Sequence, residues 1–364
     1  MLPEPGEDAR AASARLVERI RAEIAAAGGW IPFARYMELA LHAPGLGYYA
    51  GGAAKLGASG DFATAPEMGT LFARTLARQV QALLAPGEPV LEFGAGSGTL
   101  AAALLEALPG TPYLILETSA ELAARQRERL HDRARWIERL PERFRGVIIA
   151  NEVLDAMPAH ALAWRREGVM ERGVDASLAW AERPAAGAVL EAARALGLSP
   201  PYESEIGLAG RAWMALVAAR LERGALLVVD YGFPAREYYH PQRAAGTLMC
   251  HYRHRAHGDP FLWPGLQDIT AHLDFTSLAH AARAAGAEVL GYCNQAQFLV
   301  NCGITEVMNA TDAADVVRYA PLAAEAQRLL SPAEMGEIFK VLAVGRGVPR
   351  PLLGFAEGER SHTL

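Results

Sequence analysis

The densest chemistry in the sequence lies in Val90-Leu91-Glu92-Phe93-Gly94-Ala95-Gly96-Ser97-Gly98-Thr99-Leu100, where an apolar run enters a stretch with glycine at every second position. Such a loop turns sharply, and the backbone of Gly94, Ala95, Gly96 and Gly98 can lie against a ligand with no Cβ in the way. With a strand before it and a helix after it, the free N–H groups of the first helical turn face the same crevice. Glu117 ends the next apolar run, Tyr113-Leu114-Ile115-Leu116, about 20 positions on, where a doubly wound sheet sets an acid against ribose hydroxyls. Its other reading is a carboxylate near the start of a helix opening at Ser119. Glu92, inside the first run, must find donors if it is buried, and is expected to hold the glycine loop by backbone hydrogen bonds.

A third constellation is Ile148-Ile149-Ala150-Asn151-Glu152-Val153-Leu154-Asp155-Ala156-Met157-Pro158. It reads as the carboxyl end of a central strand, where open α/β sheets bind ligands. Asn151 is expected to line the cofactor pocket, with Glu152 first and Asp155 second as acids facing a substrate. The competing reading of Asp155 is a solvated residue on a short helix ended by Pro158. Upstream, in Gly60-Asp61-Phe62-Ala63-Thr64-Ala65-Pro66-Glu67, Asp61 and Thr64 suit a turn and cap, with Glu67 opening the helix that follows. Thr99 stands where a dinucleotide fingerprint requires Gly or Ala. The spacing therefore favours the glycine loop of an S-adenosylmethionine site over that of a nicotinamide site.

These residues need a scaffold, and an alternation of strands and helices supplies one. Strands are expected at residues 89–93, 113–116, 135–137, 147–150, 225–229, 288–292 and 341–344, with helices at 99–108 and 120–133 between the early ones. Strand, glycine turn, helix, strand is a βαβ unit, and continuous Val/Ile/Leu runs mark mostly parallel, buried strands. The fold class is α/β, a Rossmann-like sheet with an N-terminal helical extension and an inserted subdomain. Residues 1–85 form the extension contributing to the site, 86–160 the cofactor-binding half and 161–222 the insertion. Residues 223–346 are the second half with a long loop at 233–274, and 347–364 a tail. In the extension, residues 9–27 carry Leu16, Ile20 and Ile24 on one helical face before Gly28-Gly29, and residues 68–84 read as a second helix. In the insertion, Leu162-Ala163-Trp164 and Leu178-Ala179-Trp180 look like the two strands of a hairpin, followed by a helix near residues 188–196. The long loop has little periodicity, and Phe261, Trp263 and Phe275 make it an ordered loop beside a site.

The 364 residues are 51% hydrophobic and 21% charged, enough apolar surface for a large buried core. A net charge of -6 with both signs dispersed gives no basic stripe for a nucleic-acid backbone. Cys250, Cys293 and Cys302 form neither a disulfide framework nor a zinc cage, and His251, His254 and His257 have no acids in a metal-binding pattern, so no metal is expected. No apolar run approaches the roughly 20 residues of a membrane span. Glu4, Glu7 and Asp8 near the start are unlike a secretory or transit segment. The expectation is a bacterial cytoplasmic protein.

Five motifs in order, namely residues 60–67, the glycine loop, residues 150–158, Val229-Asp230-Tyr231-Gly232 and Asp268-Ile269-Thr270-Ala271-His272-Leu273-Asp274-Phe275, together resemble the MidA-type family. These are methyltransferase-like proteins linked to mitochondrial respiratory complex I assembly, with bacterial relatives. The resemblance spans residues 31–344. It implies a class I S-adenosylmethionine-dependent methyltransferase, and its mitochondrial member implies arginine methylation of a complex I subunit, hence a protein partner. Ala95 and Ser97 stand where mitochondrial relatives tend to carry Pro and Arg, which leaves cofactor binding unobstructed and the target open.

Methyl transfer from a sulfonium chiefly requires alignment. A guanidinium acceptor, protonated with a pKa above about 12, also needs carboxylates to orient it and take a proton. The acids placed in that role are Glu152, Asp155, Asp61 and Glu67. Three functions compete: a protein arginine methyltransferase, a methyltransferase for a small molecule, and a non-catalytic assembly factor that binds S-adenosylmethionine. The intact glycine loop and Glu117 weigh against the third.

Overall fold

The computed structural model describes residues 2–51 and 64–364. Asp61 lies outside the described residues. The chain forms two compact units: one of Ala63–Val153, Trp213–Pro234 and Phe275–Leu364, the other of Met1–Phe62, Leu154–Ala212 and Ala235–Asp274.

Among the described residues, the first unit is built on seven strands: β1 (Val90–Phe93), β2 (Tyr113–Leu116), β3 (Arg135–Trp136), β4 (Phe144–Asn151), β5 (Leu221–Phe233), β6 (Glu288–Asn294) and β7 (Phe339–Arg346). They lie in the order β3-β2-β1-β4-β5-β7-β6. Pairing is parallel from β3 through β5, while β7 runs antiparallel to both β5 and β6. Val147, Ile148, Ile149 and Ala150 of β4 and Leu226, Leu227 and Val228 of β5 have no exposed surface. Apolar burial on both faces explains why these strands read as unbroken hydrophobic runs. After β1 the chain builds outward through β2 and β3, then returns to place β4 on the other side of β1. That reversal opens a crevice at the carboxyl ends of β1 and β4, where doubly wound sheets hold ligands.

Around this sheet pack α1 (Leu71–Leu83), α2 (Thr99–Ala107), α3 (Ala120–Leu130) and α4 (Val316–Leu330), among others. The helix expected over residues 68–84 starts only at Leu71, as α1, because Met68 ends a separate helical turn, Ala65–Met68. The break is a tertiary effect. The carboxylate of Glu325 in α4 accepts the N–H of Leu71 at 2.8 Å and of Phe72 at 3.2 Å, and it sits where a Cβ on Gly69 would meet it at 2.0 Å.

The second unit gathers three segments distant in sequence around one core. Leu16, Ile20 and Ile24 of the helix Glu7–Ala26 pack with Phe33, Tyr36 and Met37, with Ala161 and Val174, and with Cys250 and Ile269. The helix ends as its glycines require: Gly28 and Gly29 have φ of 77° and 87°, and Gly29 N–H returns to Ile24 O at 2.8 Å. Trp30–Pro32, Gly168–Asp175, His160–Arg165 and Tyr202–Ile206 form an antiparallel sheet, with Trp180–Pro184 on the far side of Gly168–Asp175. The hairpin partner of the strand around Leu162 is thus Gly168–Asp175 and not residues 178–180, which lie in and after the turn closing the next hairpin. That partner strand carries Met170, Glu171, Arg172 and Gly173, a composition with little apolar signal. The stretch 233–274 is ordered through a three-stranded sheet of Met249–Tyr252, Arg255–His257 and Asp268–Thr270, with Phe261 edge-on to Tyr36 and Trp180. Among the described residues, no helix is long and apolar enough to cross a membrane.

Candidate functional site

The glycine loop leaves β1 at the crevice with Gly94, Gly96 and Gly98 at φ of 58°, 53° and 79°. These are left-handed conformations that side chains resist and glycine accepts. The loop is tethered to β2 through Gly94 N–H to Leu116 O at 3.0 Å and closed on itself through Gly98 N–H to Ala95 O at 2.7 Å. A Cβ on Gly94 would press on Val153 at 3.2 Å. Gly98 is the N-cap of α2 and has no side chain to give. Its neighbour Ser97 partly substitutes, accepting the Thr99 N–H at 3.3 Å.

Ser97 also joins the loop to an element upstream. Its hydroxyl donates to the carboxylate of Glu67, on the Ala65–Met68 turn, and lies 2.7 Å from Thr99 Oγ1, which in turn takes a hydrogen bond from Arg129 of α3. Glu67 was expected to face an acceptor. In the structure its carboxylate accepts the Ser97 hydroxyl of the glycine loop.

Glu117 sits at the end of β2, largely buried. Ser119 N–H reaches its Oε1 and Gln126 Nε2 its Oε2, both at 2.9 Å. Burial pushes its carboxyl above the usual range, and the hydrogen bonds from Ser119, Gln126 and neighbouring backbone pull the other way. The helix-capping alternative assigned to Glu117 falls to Ser119, whose hydroxyl accepts the Leu122 N–H. Glu92 is fully buried in β1. Among the described residues its hydrogen-bond partner is the Tyr113 hydroxyl at 2.8 Å rather than the loop backbone. Glu92 is in register with Ile115, so Tyr113, two residues back on the same face of β2, is its diagonal neighbour. Burial raises the Glu92 carboxyl to about 7, the Tyr113 hydrogen bond opposes this, and the nearby Glu117 charge adds to it.

At the end of β4, Asn151 Nδ2 donates to Glu152 Oε1 at 3.2 Å, and the Tyr231 hydroxyl at the end of β5 lies 3.5 Å from Glu152 Oε2. Glu152 takes φ of 52°, a left-handed conformation rare for a non-glycine residue, while its N–H is fixed to Val229 O at 2.9 Å. Asn151 Oδ1 is buried with no hydrogen-bond partner among the described residues. Asp155 belongs to the other unit. It lies in a non-helical turn and is buried, with Oδ1 accepting the Ala156 N–H at 2.9 Å, so it is neither solvated nor helical.

The structure therefore brings together Gly94, Ala95, Gly96, Gly98, Glu117, Asn151, Glu152, Glu67 and Glu92 within one unit, around the switch point of its sheet. Gln126, Trp136 and Tyr113 were not legible as site residues, because their roles arise from side chains meeting across elements. The fit to S-adenosylmethionine is chemical. The cradle has no Cβ at its three turning points, Glu117 sets a carboxylate beside it at the end of β2, and Asn151 holds an acceptor without a donor. Among the described residues, no group of three His, Cys, Asp or Glu is placed to hold a metal ion.

Comparison with known proteins agrees with this geometry. A family model described as "Putative S-adenosyl-L-methionine-dependent methyltransferase" matches residues 71–293. A candidate methyl transferase from Burkholderia thailandensis, solved with S-adenosyl-homocysteine bound, is 52% identical over the whole of both chains with a TM-score of 0.95. A second, native structure from the same organism is 52% identical with a TM-score of 0.93, again over the whole of both chains. The mitochondrial protein arginine methyltransferase NDUFAF7 homolog of Drosophila melanogaster is 27% identical over 97% of this chain and 91% of its own length. The Danio rerio protein arginine methyltransferase NDUFAF7 is 28% identical over 87% of this chain and 84% of its own.

Proposed function

From the premise that this chain belongs to the S-adenosyl-L-methionine-dependent methyltransferase family, we propose that its acceptor is a protein arginine, in a respiratory complex I subunit or the bacterial counterpart, and that it works in the bacterial cytoplasm. The chain is a class I methyltransferase and S-adenosylmethionine is its cofactor. When bound, that cofactor supplies a methyl carbon on a positively charged sulfur: the C–S bond breaks as an acceptor N–C bond forms, and S-adenosylhomocysteine leaves. The chain's own task is to hold, orient and deprotonate.

In this reading Gly94, Ala95, Gly96 and Gly98 give close backbone approach and Glu117 accepts the ribose hydroxyls. Asn151 Oδ1 accepts from the methionyl ammonium, and Glu92 supports the strand beneath the loop. Glu67 steadies the loop through Ser97. Glu152 orients the guanidinium and takes its proton; Asp155 and Asp61 are secondary candidates. The observation that carries the proposal is Glu152 itself. An acid held at φ of 52° at the carboxyl end of a central strand, with Asn151 and Tyr231 on its two oxygens, is kept in a costly conformation at the ligand end of the sheet. A carboxylate at that position suits the planar guanidinium, a cation that pairs with carboxylates. The arginine target rests on the names of eukaryotic relatives near 27% identity.

The test is a labelled-methyl assay with purified enzyme on lysate from a strain lacking the gene, resolved by gel and mass spectrometry. One protein band carrying methylarginine is expected, and label confined to a low-mass acceptor would replace this reading with the small-molecule one.

A further inference from the structure

A fully buried glutamine lies beneath the cofactor loop. On α3 the buried residues are Ala123, Gln126 and Leu130, a stripe at helical spacing in which an amide interrupts two apolar side chains. Burying an amide is costly unless it is hydrogen-bonded, and this one is bonded at both ends. Gln126 Nε2 donates to Gly96 O and to Glu117 Oε2, each at 2.9 Å, and Trp136 Nε1 donates to Gln126 Oε1, also at 2.9 Å.

The indole sets the direction of the amide. Trp136 Nε1–H can only donate, so the end of Gln126 that faces it is the carbonyl oxygen, and the NH2 must face Glu117 and Gly96. One amide thus spans two cofactor-facing groups: the middle glycine of the loop and the carboxylate at the end of β2. The clamp draws on four elements, namely the loop, β2, α3 and β3.

We propose that Gln126 is a positioning residue for cofactor binding, fixing Glu117 and the carbonyl of Gly96 in one geometry, with Trp136 fixing Gln126. This rests on the reading of Glu117 as the ribose acceptor. Without the amide, Glu117 keeps its bond from Ser119 but loses the one that holds Oε2, and the Gly96 carbonyl loses its donor, so a contact to the ligand weakens without any change in the groups that touch it.

The test is calorimetric titration of the purified full-length protein with S-adenosylhomocysteine and with its 2′-deoxy analogue. Hydrogen bonds to a charged partner set the scale, so removing the ribose hydroxyl should weaken wild-type binding about tenfold or more. In Gln126→Leu, S-adenosylhomocysteine itself should bind about tenfold more weakly, and the penalty for the missing hydroxyl should shrink to within about twofold, a coupling that a general loosening of the fold does not produce. Trp136→Phe leaves the amide in place but unoriented and should show the same loss of penalty in smaller measure, which keeps the test available if Gln126→Leu does not fold. Glu117→Ala should remove the penalty outright. If Glu117→Ala removes it while Gln126→Leu and Trp136→Phe both keep it in full, the positioning role is overturned and the ribose reading stands. If Glu117→Ala keeps it, the ribose reading falls and this inference with it.

Discussion

Two carboxylates show how residue-level physics separates function from stability. Glu152 occupies a left-handed conformation, which costs a side-chain-bearing residue about 1–2 kcal/mol. Glu152→Gly should therefore raise unfolding stability by about 1 kcal/mol in urea titration while leaving S-adenosylhomocysteine affinity unchanged and abolishing turnover. Loss of stability in this variant would show that the conformation is not strained. Glu92 poses the opposite problem, since burial raises its carboxyl from the usual 4.5 to about 7. The folded state thus keeps a proton that the unfolded chain releases, so this group's contribution to stability falls as pH rises from about 4.5 to 7 and levels off above that. The full effect is of the order of 3 kcal/mol. Glu92→Gln removes the titration. The variant should gain on the wild type from pH 5 to pH 7 in paired thermal melts and gain little more by pH 8, and a constant difference across that range would contradict the assignment.

Elements in this chain are bounded by one another as much as by their own residues. Thr70 precedes α1 and makes no side-chain cap, and the end of the helix is closed by Glu325 of α4, 254 positions away. Leaving two buried N–H donors unpaired costs about 1–3 kcal/mol each, so Glu325→Ala should destabilise by about 2–6 kcal/mol. Gly69→Ala should produce a loss of the same kind, because its Cβ would displace the same carboxylate. Urea midpoints falling together at unchanged m-value would support this, and a midpoint in Glu325→Ala equal to the wild type would refute it. The same contact explains why residues 68–84 read as one helix in sequence. Helical periodicity is local, and nothing near Gly69 reports an acid arriving from α4. The missed hairpin partner, Gly168–Asp175, has a related cause: its strand is held by pairing on both sides and carries little apolar alternation of its own.

At the scale of the whole molecule, the loop residues, Glu117, Gln126, Asn151 and Glu152 all fall in one of the two units. A ligand that binds only the folded site stabilises it by mass action, about 2.7 kcal/mol at a hundredfold excess over its dissociation constant. S-adenosylhomocysteine should therefore raise the melting temperature by several degrees. Gly96→Val, which forces a β-branched residue into φ of 53°, should remove that shift while circular dichroism shows the fold retained; a full shift in the folded variant would place the ligand elsewhere. The sequence by itself determined the sheet strands, the glycine loop at the end of β1, the acid at the end of β2 and the Asn151-Glu152 pair at the end of β4. Each of these depends on local periodicity and on glycine's freedom at positive φ, which are properties of a few adjacent residues. Tertiary structure alone decided that residues from the N-terminal extension, the insertion and the long loop share one core. It also turned Glu67 to Ser97, and made Gln126, otherwise one more polar residue on a helix, the clamp between Glu117 and Gly96. Those outcomes depend on which side chains meet across elements, and no spacing along the chain encodes a meeting between residues 30 or 250 positions apart.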